Sequence, residues 1–336
     1  MKAALYTKPH SLKLATRDLR KIGPDEVLVR VEVCGICGTD LHIVEGLARS
    51  TPPVILGHEY VGVIEEIGKG VKRFKIGERV AVDPNISCGH CFHCRKGEVN
   101  LCANLKALGV DIDGGMAEFS IVPEPQLYKI PDSLPPEAAV FIEPVSCVVH
   151  GVDRAGVQPG ASIVIIGAGT VGLLMLQMAK YAGASKIVII EPNSEKQRIS
   201  TTLGADFVVS PRNAVSEIND ILPAGADVVI ECVGKPETMK QAISLARRGG
   251  TVEFFGVCPI GDTISVEPNE IYFKELTIVG SYVNPKTFSR AIEALASGAV
   301  RPDMMPVAKF PLDELDAAFS ALREGRTIKS ILQPGL

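Results

Sequence analysis

Hydrophobic and polar positions alternate in short bursts over the first third of the chain. Glu26 to Val33, Tyr60 to Ile67, Arg79 to Val82 and Met116 to Val122 are β-rich stretches of strand length, punctuated by Gly and Pro. No helix signal of useful length competes with them, so the pattern predicts an antiparallel, barrel-like β-domain with functional loops. From about Ala161 the rhythm changes. Ser162 to Ile166 and Lys186 to Ile190 are continuous apolar runs, and each leads into a helical stretch, Val171 to Tyr181 and Ser194 to Thr202. The alternation continues through Val228 to Glu231, Glu237 to Arg247, Thr251 to Phe255 and Leu276 to Tyr282. Strands without polar alternation are covered on both faces, which predicts a parallel, doubly wound α/β sheet. The tail carries two amphipathic helical segments, Pro285 to Ser297 and Leu312 to Glu324, and a strand-like Lys329 to Gln333. It is expected to rejoin the N-terminal domain.

Composition narrows the partners. A chain of 336 residues, 46% hydrophobic and 22% charged, suits a soluble globular protein of two domains. A net charge of −4 gives no electrostatic footing for nucleic acid or an anionic membrane, so a small-molecule partner is expected. The opening MKAALYTKPH lacks the order of a secretion signal, and the longest apolar runs are of strand length. These features predict a cytoplasmic protein whose nine cysteines are reduced and cluster at metal spacing rather than forming disulfides.

Four of those cysteines, Cys88, Cys91, Cys94 and Cys102, form a C-x2-C-x2-C-x7-C run in a loop rich in Gly, His and Asn. Thiolates at this spacing converge on one ion at roughly 2.3 Å and close its coordination sphere, which predicts a structural zinc. His90 and His93 interrupt the run, but four thiolates already complete a tetrahedron. Cys34, Cys147, Cys232 and Cys258 lack metal spacing and are expected as buried fillers.

Gly167-Ala-Gly-Thr-Val-Gly172 directly follows a predicted strand and opens a predicted helix, the context in which G-x-G-x-x-G receives a dinucleotide pyrophosphate. Glu191 ends the next strand, about twenty residues on, where a carboxylate accepts from the adenosine ribose hydroxyls and repels a 2′-phosphate. NAD is therefore expected over NADP. The expected cofactor-binding set is Gly167, Gly169, Thr170, Val171, Gly172, Glu191, Lys196 and Val233.

Cys37, His58 and Glu59 offer a thiolate, an imidazole and a carboxylate from separate loops, a donor set that suits zinc with a vacant position for substrate oxygen. With Cys37-Gly-Thr-Asp-Leu-His42, Gly57-His-Glu59, the four-cysteine lobe, Glu143-Pro-Val-Ser, Gly167 to Gly172 and Glu231-Cys-Val-Gly234, the chain resembles the zinc-dependent medium-chain dehydrogenases from end to end. The sorbitol (polyol) dehydrogenase branch is the most similar by this reading, because simple alcohol dehydrogenases of the family usually place a cysteine ligand where this chain has Glu143.

The resemblance implies a GroES-like β-barrel catalytic domain (1–146 and 285–336) and a Rossmann coenzyme domain (147–284). It implies two zinc ions per chain: a catalytic ion on Cys37, His58, Glu59 and Glu143, with one carboxylate direct or through water, and the structural ion of the lobe. Thr39 and His42 would carry the alcohol proton outward while hydride leaves for NAD, giving a ketone. A homo-dimer or homo-tetramer is implied. Where animal sorbitol dehydrogenases bring an Arg-Tyr pair toward the polyol, Gly280 to Pro285 aligns Val283 and Asn284, so a shorter polyol, a sugar, a cyclitol or another secondary alcohol competes with sorbitol. L-Threonine 3-dehydrogenase and a general alcohol dehydrogenase are the rival activities, and a catalytically silent sensing or structural paralogue is the rival outside enzymes.

Overall fold

The computed structural model describes residues 1–335. The chain forms two compact units, one of Met1–Ser146, Asn284–Gly298 and Met305–Leu336, the other of Cys147–Val283 and Ala299–Met304.

The first unit is built on a seven-stranded sheet. Its path runs Leu127–Lys129, Arg79–Val82, Glu59–Ile67, Glu26–Gly35, Lys329–Gln333 and Val307–Pro311, with Phe119–Pro123 also paired to Glu26–Gly35. A three-stranded sheet of Ser11–Thr16, Lys2–Lys8 and Val54–Ile55 completes it. Inward-facing Val27, Val29, Val31, Ile64, Val80 and Leu127 form the core, joined by Leu312, Leu315 and Phe319 of the tail. Pairing is antiparallel except for Val307–Pro311 with Lys329–Gln333, which run parallel because a helix, Leu315–Arg323, connects them. The final strand sets Ile331 against Gly35 and Leu332 against Cys34, so the end of the chain lies in register beside the strand that leads to Cys37.

The second unit is a six-stranded, wholly parallel sheet. Counted by position in the chain, its order is 3-2-1-4-5-6: Phe207–Val209, Lys186–Ile190, Ser162–Ile166, Ala226–Glu231, Ala246–Phe254 and Thr277–Gly280. That is the doubly wound dinucleotide-binding topology expected from the unbroken apolar strands. Val164, Ile166, Val188, Ile190, Val229 and Val252 pack against Ala214, Ile218, Ala242 and Ile243 of the covering helices.

Several elements differ from the sequence reading. A seven-residue helix, Gly38–Val44, stands in the stretch expected to be helix-free; Asp40 fastens its first turn by accepting from the Cys37 N–H at 2.9 Å. The fourteen-residue helix Ile142–Ala155 was not anticipated, and Glu143 lies in its first turn. Met116–Glu118 precede the strand Phe119–Pro123 rather than belonging to it. The helix expected from Pro285 begins at Phe288, because Lys286 takes φ 58°, outside the right-handed helical region.

Candidate metal centres and dinucleotide site

Cys37 closes the turn between the strand Glu26–Gly35 and the helix Gly38–Val44, while His58 and Glu59 stand at the start of the strand Glu59–Ile67. Strand pairing sets Glu59 opposite Gly35, so the two segments converge and the ligand atoms of Cys37, His58 and Glu59 lie within 4.8 Å of one another. Three donors at that separation can share one ion, and thiolate, imidazole and carboxylate together suit zinc. Cys37 is half-buried, whereas His58 and Glu59 are buried, which leaves the thiolate side the more open.

Two further residues complete this centre, and sequence spacing had not singled them out. Asp40, fully buried, holds Oδ1 3.4 Å from His58 Nδ1, and neither atom has a hydrogen-bond partner. A carboxylate behind a ligating imidazole fixes the ring's orientation and tautomer, and the orphaned pair is what a metal-bound histidine would close. Burial works against an imidazolium at His58, yet the charges of Asp40 and Cys37 outweigh it and hold the ring's pKa well above its ordinary value; a cation here would replace that proton. Lys329, also buried, makes an ion pair with Glu59 Oε2. Gly35, between the two strands, makes room for it: a Cβ there would meet the Glu59 carboxylate and come within 2.8 Å of Lys329 Cε. Burial also works to discharge the ammonium, but Glu59, Cys37 and Glu143 hold its pKa above the usual lysine value. Asp40 was within reach of sequence reasoning as part of Cys37-Gly-Thr-Asp-Leu-His42. Lys329 was not, because only long-range strand register brings it here.

Glu143 lies outside the group formed by Cys37, His58 and Glu59, although its charge is felt at Lys329. Its backbone carbonyl accepts from Ser146 Oγ at 2.6 Å, and Ser146 Oγ in turn accepts from Asn284 Nδ2 at 2.8 Å. Asn284 is buried, and its Oδ1 accepts from Asn85. The amide expected to face substrate is therefore committed to the framework behind the Ile142–Ala155 helix. Val283, a β-branched residue, is held at φ 47°, a conformation such residues rarely adopt. Thr39 is exposed and His42 half-buried, three residues apart on the Gly38–Val44 helix and hence on one face of it.

The sulfurs of Cys88, Cys91, Cys94 and Cys102 form a second group within 4.8 Å. Cys102 Sγ accepts the backbone N–H of Cys88 at 3.2 Å and of Asn104 at 3.3 Å, which fixes the sulfur within the loop. The backbone N–H groups of His90 and Cys91 lower the Cys88 pKa to about 6, while burial and then the Cys91 contact raise Cys94 to about 11. Both histidines of the lobe are turned to other partners, His90 Nδ1 to the Cys88 carbonyl at 2.8 Å and His93 Nδ1 to Glu98 at 2.9 Å.

In the parallel-sheet unit the glycine loop joins the strand Ser162–Ile166 to the helix Thr170–Tyr181. A Cβ on Gly172 would collide with the carbonyl oxygen of Gly167, so no larger residue fits this close approach of helix to loop. Val233 packs over Gly167 from the neighbouring strand end. Glu191 is buried at the end of Lys186–Ile190; its Oε2 accepts from Ala168 N at 2.8 Å and its Oε1 from Asn193 N at 2.9 Å. Those bonds fix the carboxylate beside the loop and leave it further lone pairs. Thr170 and Val171 open the helix, and Lys196 lies half-buried in the Ser194–Thr202 helix that Asn193 caps. Glu231, at the next strand end, was not in the expected set. It accepts from Val233 N, Gly234 N and Thr238 Oγ1, and so braces the Cys232–Gly234 turn.

The two units thus carry the parts of a zinc-dependent, dinucleotide-dependent dehydrogenase. Residues 23–132 match the alcohol dehydrogenase GroES-like domain and residues 170–297 the zinc-binding dehydrogenase domain. The chain is 38% identical to L-threonine 3-dehydrogenase of Pyrococcus horikoshii, with 98% of each chain covered. It is 34% identical to D-arabinitol dehydrogenase 1 of Uromyces fabae, over 99% of this chain and 97% of that one. A crystal structure from Sinorhizobium meliloti 1021, described as a zinc-binding dehydrogenase bound to NADP, superposes with a TM-score of 0.95 at 40% identity, with 99% of each chain covered. The chain belongs to the zinc-dependent medium-chain dehydrogenase family and is an NAD(P)-dependent alcohol dehydrogenase that converts an alcohol to a ketone. Among the described residues no helix is long and apolar enough to cross a membrane.

Proposed function

We propose that the enzyme oxidises a small polar secondary alcohol with NAD, using a zinc ion held by Cys37, His58 and Glu59 and assisted by Glu143. The convergence of those three donors within 4.8 Å, with Asp40 behind His58, carries the reading. Zinc bound there supplies Lewis acidity, which lowers the pKa of the alcohol and favours departure of hydride to the nicotinamide. The chain's own residues do the rest. Thr39, exposed at the start of its helix, accepts the alcohol proton, and His42 on the same face passes it outward. Asp40 holds the His58 ring. Cys88, Cys91, Cys94 and Cys102 hold a second, structural zinc that organises a loop with little core of its own.

The position of Glu191, braced by Ala168 and Asn193, supports NAD over NADP, because a 2′-phosphate would face a fixed carboxylate. The proposed domain division is 1–146 with 285–336 for catalysis and 147–284 for coenzyme; the compact units differ from it in giving Asn284 to the first and Ala299–Met304 to the second. We infer a cytoplasmic homo-oligomer. None of the nine cysteines is joined in a disulfide, which suits a reducing compartment. Thr277–Gly280 is an open edge of the parallel sheet with Ile278 exposed, and the preceding helix exposes Tyr272 and Phe273, a surface a second copy would cover. Light scattering at micromolar concentration tests that assembly.

Two substrate classes compete. A polyol is supported by the carboxylate-rich centre and the arabinitol dehydrogenase relative, whereas the higher identity to L-threonine 3-dehydrogenase supports threonine. An NAD-reduction screen over polyols, sugars, cyclitols, simple alcohols and threonine, with and without chelator, separates them. Two zinc ions per chain and a chelator-sensitive rate are the expected results; no metal, or a rate indifferent to chelator, sinks the proposal.

A further inference from the structure

The Glu59–Lys329 pair is a buried ion pair between a candidate catalytic ligand and a lysine, and the mechanism above does not use it. Three adjacent strands create it. Gly35, on the middle strand, is opposite Glu59 on one side and Ile331 on the other, and Lys329 is two residues from Ile331 and so shares its face. With no side chain on Gly35, carboxylate and ammonium meet above it. An ion pair so placed is an unusual choice for stability alone, since well-packed apolar side chains of similar volume hold a sheet at least as well. It makes sense as charge balance. Cys37, Glu59 and Glu143 bring three negative charges to a centre whose metal brings two positive ones, and Lys329 supplies the third.

We propose that Lys329 is a positioning residue that competes with the catalytic metal for the Glu59 carboxylate. It thereby weakens Glu59 as a ligand and keeps one coordination position uncommitted for substrate. This inference rests on the catalytic-zinc reading above. Replacing the lysine by a side chain of similar volume but without charge, as in Lys329→Met, releases Glu59 to the metal. Lys329→Arg preserves the competition.

Cobalt(II)-substituted enzyme tests it without reference to turnover. The thiolate-to-cobalt band that disappears in Cys37→Ser belongs to this centre. In Lys329→Met the cobalt d–d absorption of the centre should weaken as coordination number rises, and loss of the metal to a chelator should slow at least tenfold. Lys329→Arg should restore the wild-type spectrum and rate. In a double-mutant cycle, Lys329→Met should change nothing further once Glu59→Gln is present; this arm also serves if Lys329→Met alone folds poorly. An unchanged spectrum and chelator rate in Lys329→Met overturns the inference, as does faster metal loss or an effect that persists in the Glu59→Gln background. Absence of the Cys37-dependent band in the wild type instead removes the metal reading itself, and this inference with it.

Discussion

Asp40 Oδ1 stands 3.4 Å from His58 Nδ1, and neither atom has a hydrogen-bond partner. Asp40 Oδ2 meanwhile fastens the helix start at Cys37. One carboxylate thus orients two of the three candidate zinc ligands. Asp40→Asn keeps an acceptor for the Cys37 N–H but presents an amide N–H to His58 Nδ1. The ring would then carry its proton on Nε2, where it cannot ligate. Metal affinity should fall about 10–100-fold, read by competition with a chromogenic chelator, while the far-UV spectrum stays unchanged. Wild-type affinity in Asp40→Asn would exclude this role.

Gly35→Ala tests the pair above it from the other side. The new methyl would meet the Glu59 carboxylate and Lys329 Cε. Because both groups are buried and the strand is hydrogen-bonded on each side, relief requires backbone movement. Overpacking of this kind costs about 1–3 kcal/mol, measured by denaturant unfolding, and zinc retention should drop with it. Gly38→Ala, with open space around its Cβ, is the control and should leave retention unchanged.

The parallel-sheet unit was largely legible in the sequence because its signals are local. Ser162–Ile166 and Lys186–Ile190 are continuous apolar runs, and Gly167 to Gly172 sits between strand and helix by its own chemistry. Cys88, Cys91, Cys94 and Cys102 come together for the same reason, through short spacings, whereas Cys37 meets His58 and Glu59 through strand pairing. What escaped was set by distance along the chain. Lys329 reads as a surface lysine at the edge of a strand and becomes buried only because its strand pairs with one some 300 residues earlier. The Gly38–Val44 helix escaped because its helical periodicity spans only two turns and glycine opens it. Asn284 escaped because its partners, Asn85 and Ser146, come from remote segments.

Loss of the lobe's zinc should cost stability before chemistry. The sulfurs of Cys88, Cys91, Cys94 and Cys102 make one group, and the segment carries short helical turns, Phe92–Arg95 and Val99–Leu101. Cys94→Ser should release about one zinc per chain and lower the melting temperature. Its turnover at low temperature, per remaining folded enzyme, should stay within about threefold of wild type, a barrier change under 1 kcal/mol. Abolished turnover with an unchanged melting temperature would assign the lobe to catalysis.

Glu191 is tied to the glycine loop through Ala168 and to the following turn through Asn193. Glu191→Ser should raise the KM for NAD about tenfold or more, the loss of one charged hydrogen-bonding group. It should also lower the KM for NADP relative to NAD, since the fixed charge that opposes a 2′-phosphate is gone. Steady-state kinetics with both cofactors reads this ratio. A ratio equal to wild type would show that Glu191 shapes the loop without selecting the cofactor.

Glu253 gives the parallel-sheet unit a defined pH dependence. Its carboxyl is fully buried against the Ile142–Ala155 helix, both oxygens lack partners, and Gly151 leaves it room, with Oε1 only 3.0 Å from where a Cβ would stand. Burial raises its pKa from 4.5 to about 8, with Arg154 opposing the rise. The folded state therefore holds a proton that the unfolded chain has already released. Stability is greatest below about pH 4.5 as far as this group is concerned, and it declines as pH rises toward 8. At about 1.4 kcal/mol per pH unit, the decline amounts to several kcal/mol across that window. Glu253→Gln cannot ionise, so its unfolding midpoint in urea should fall less between pH 5 and pH 8.5 than that of the wild type, with the variant the more stable protein at pH 8.5. Parallel pH profiles for the two proteins would mean that the buried carboxyl is solvated or paired in solution.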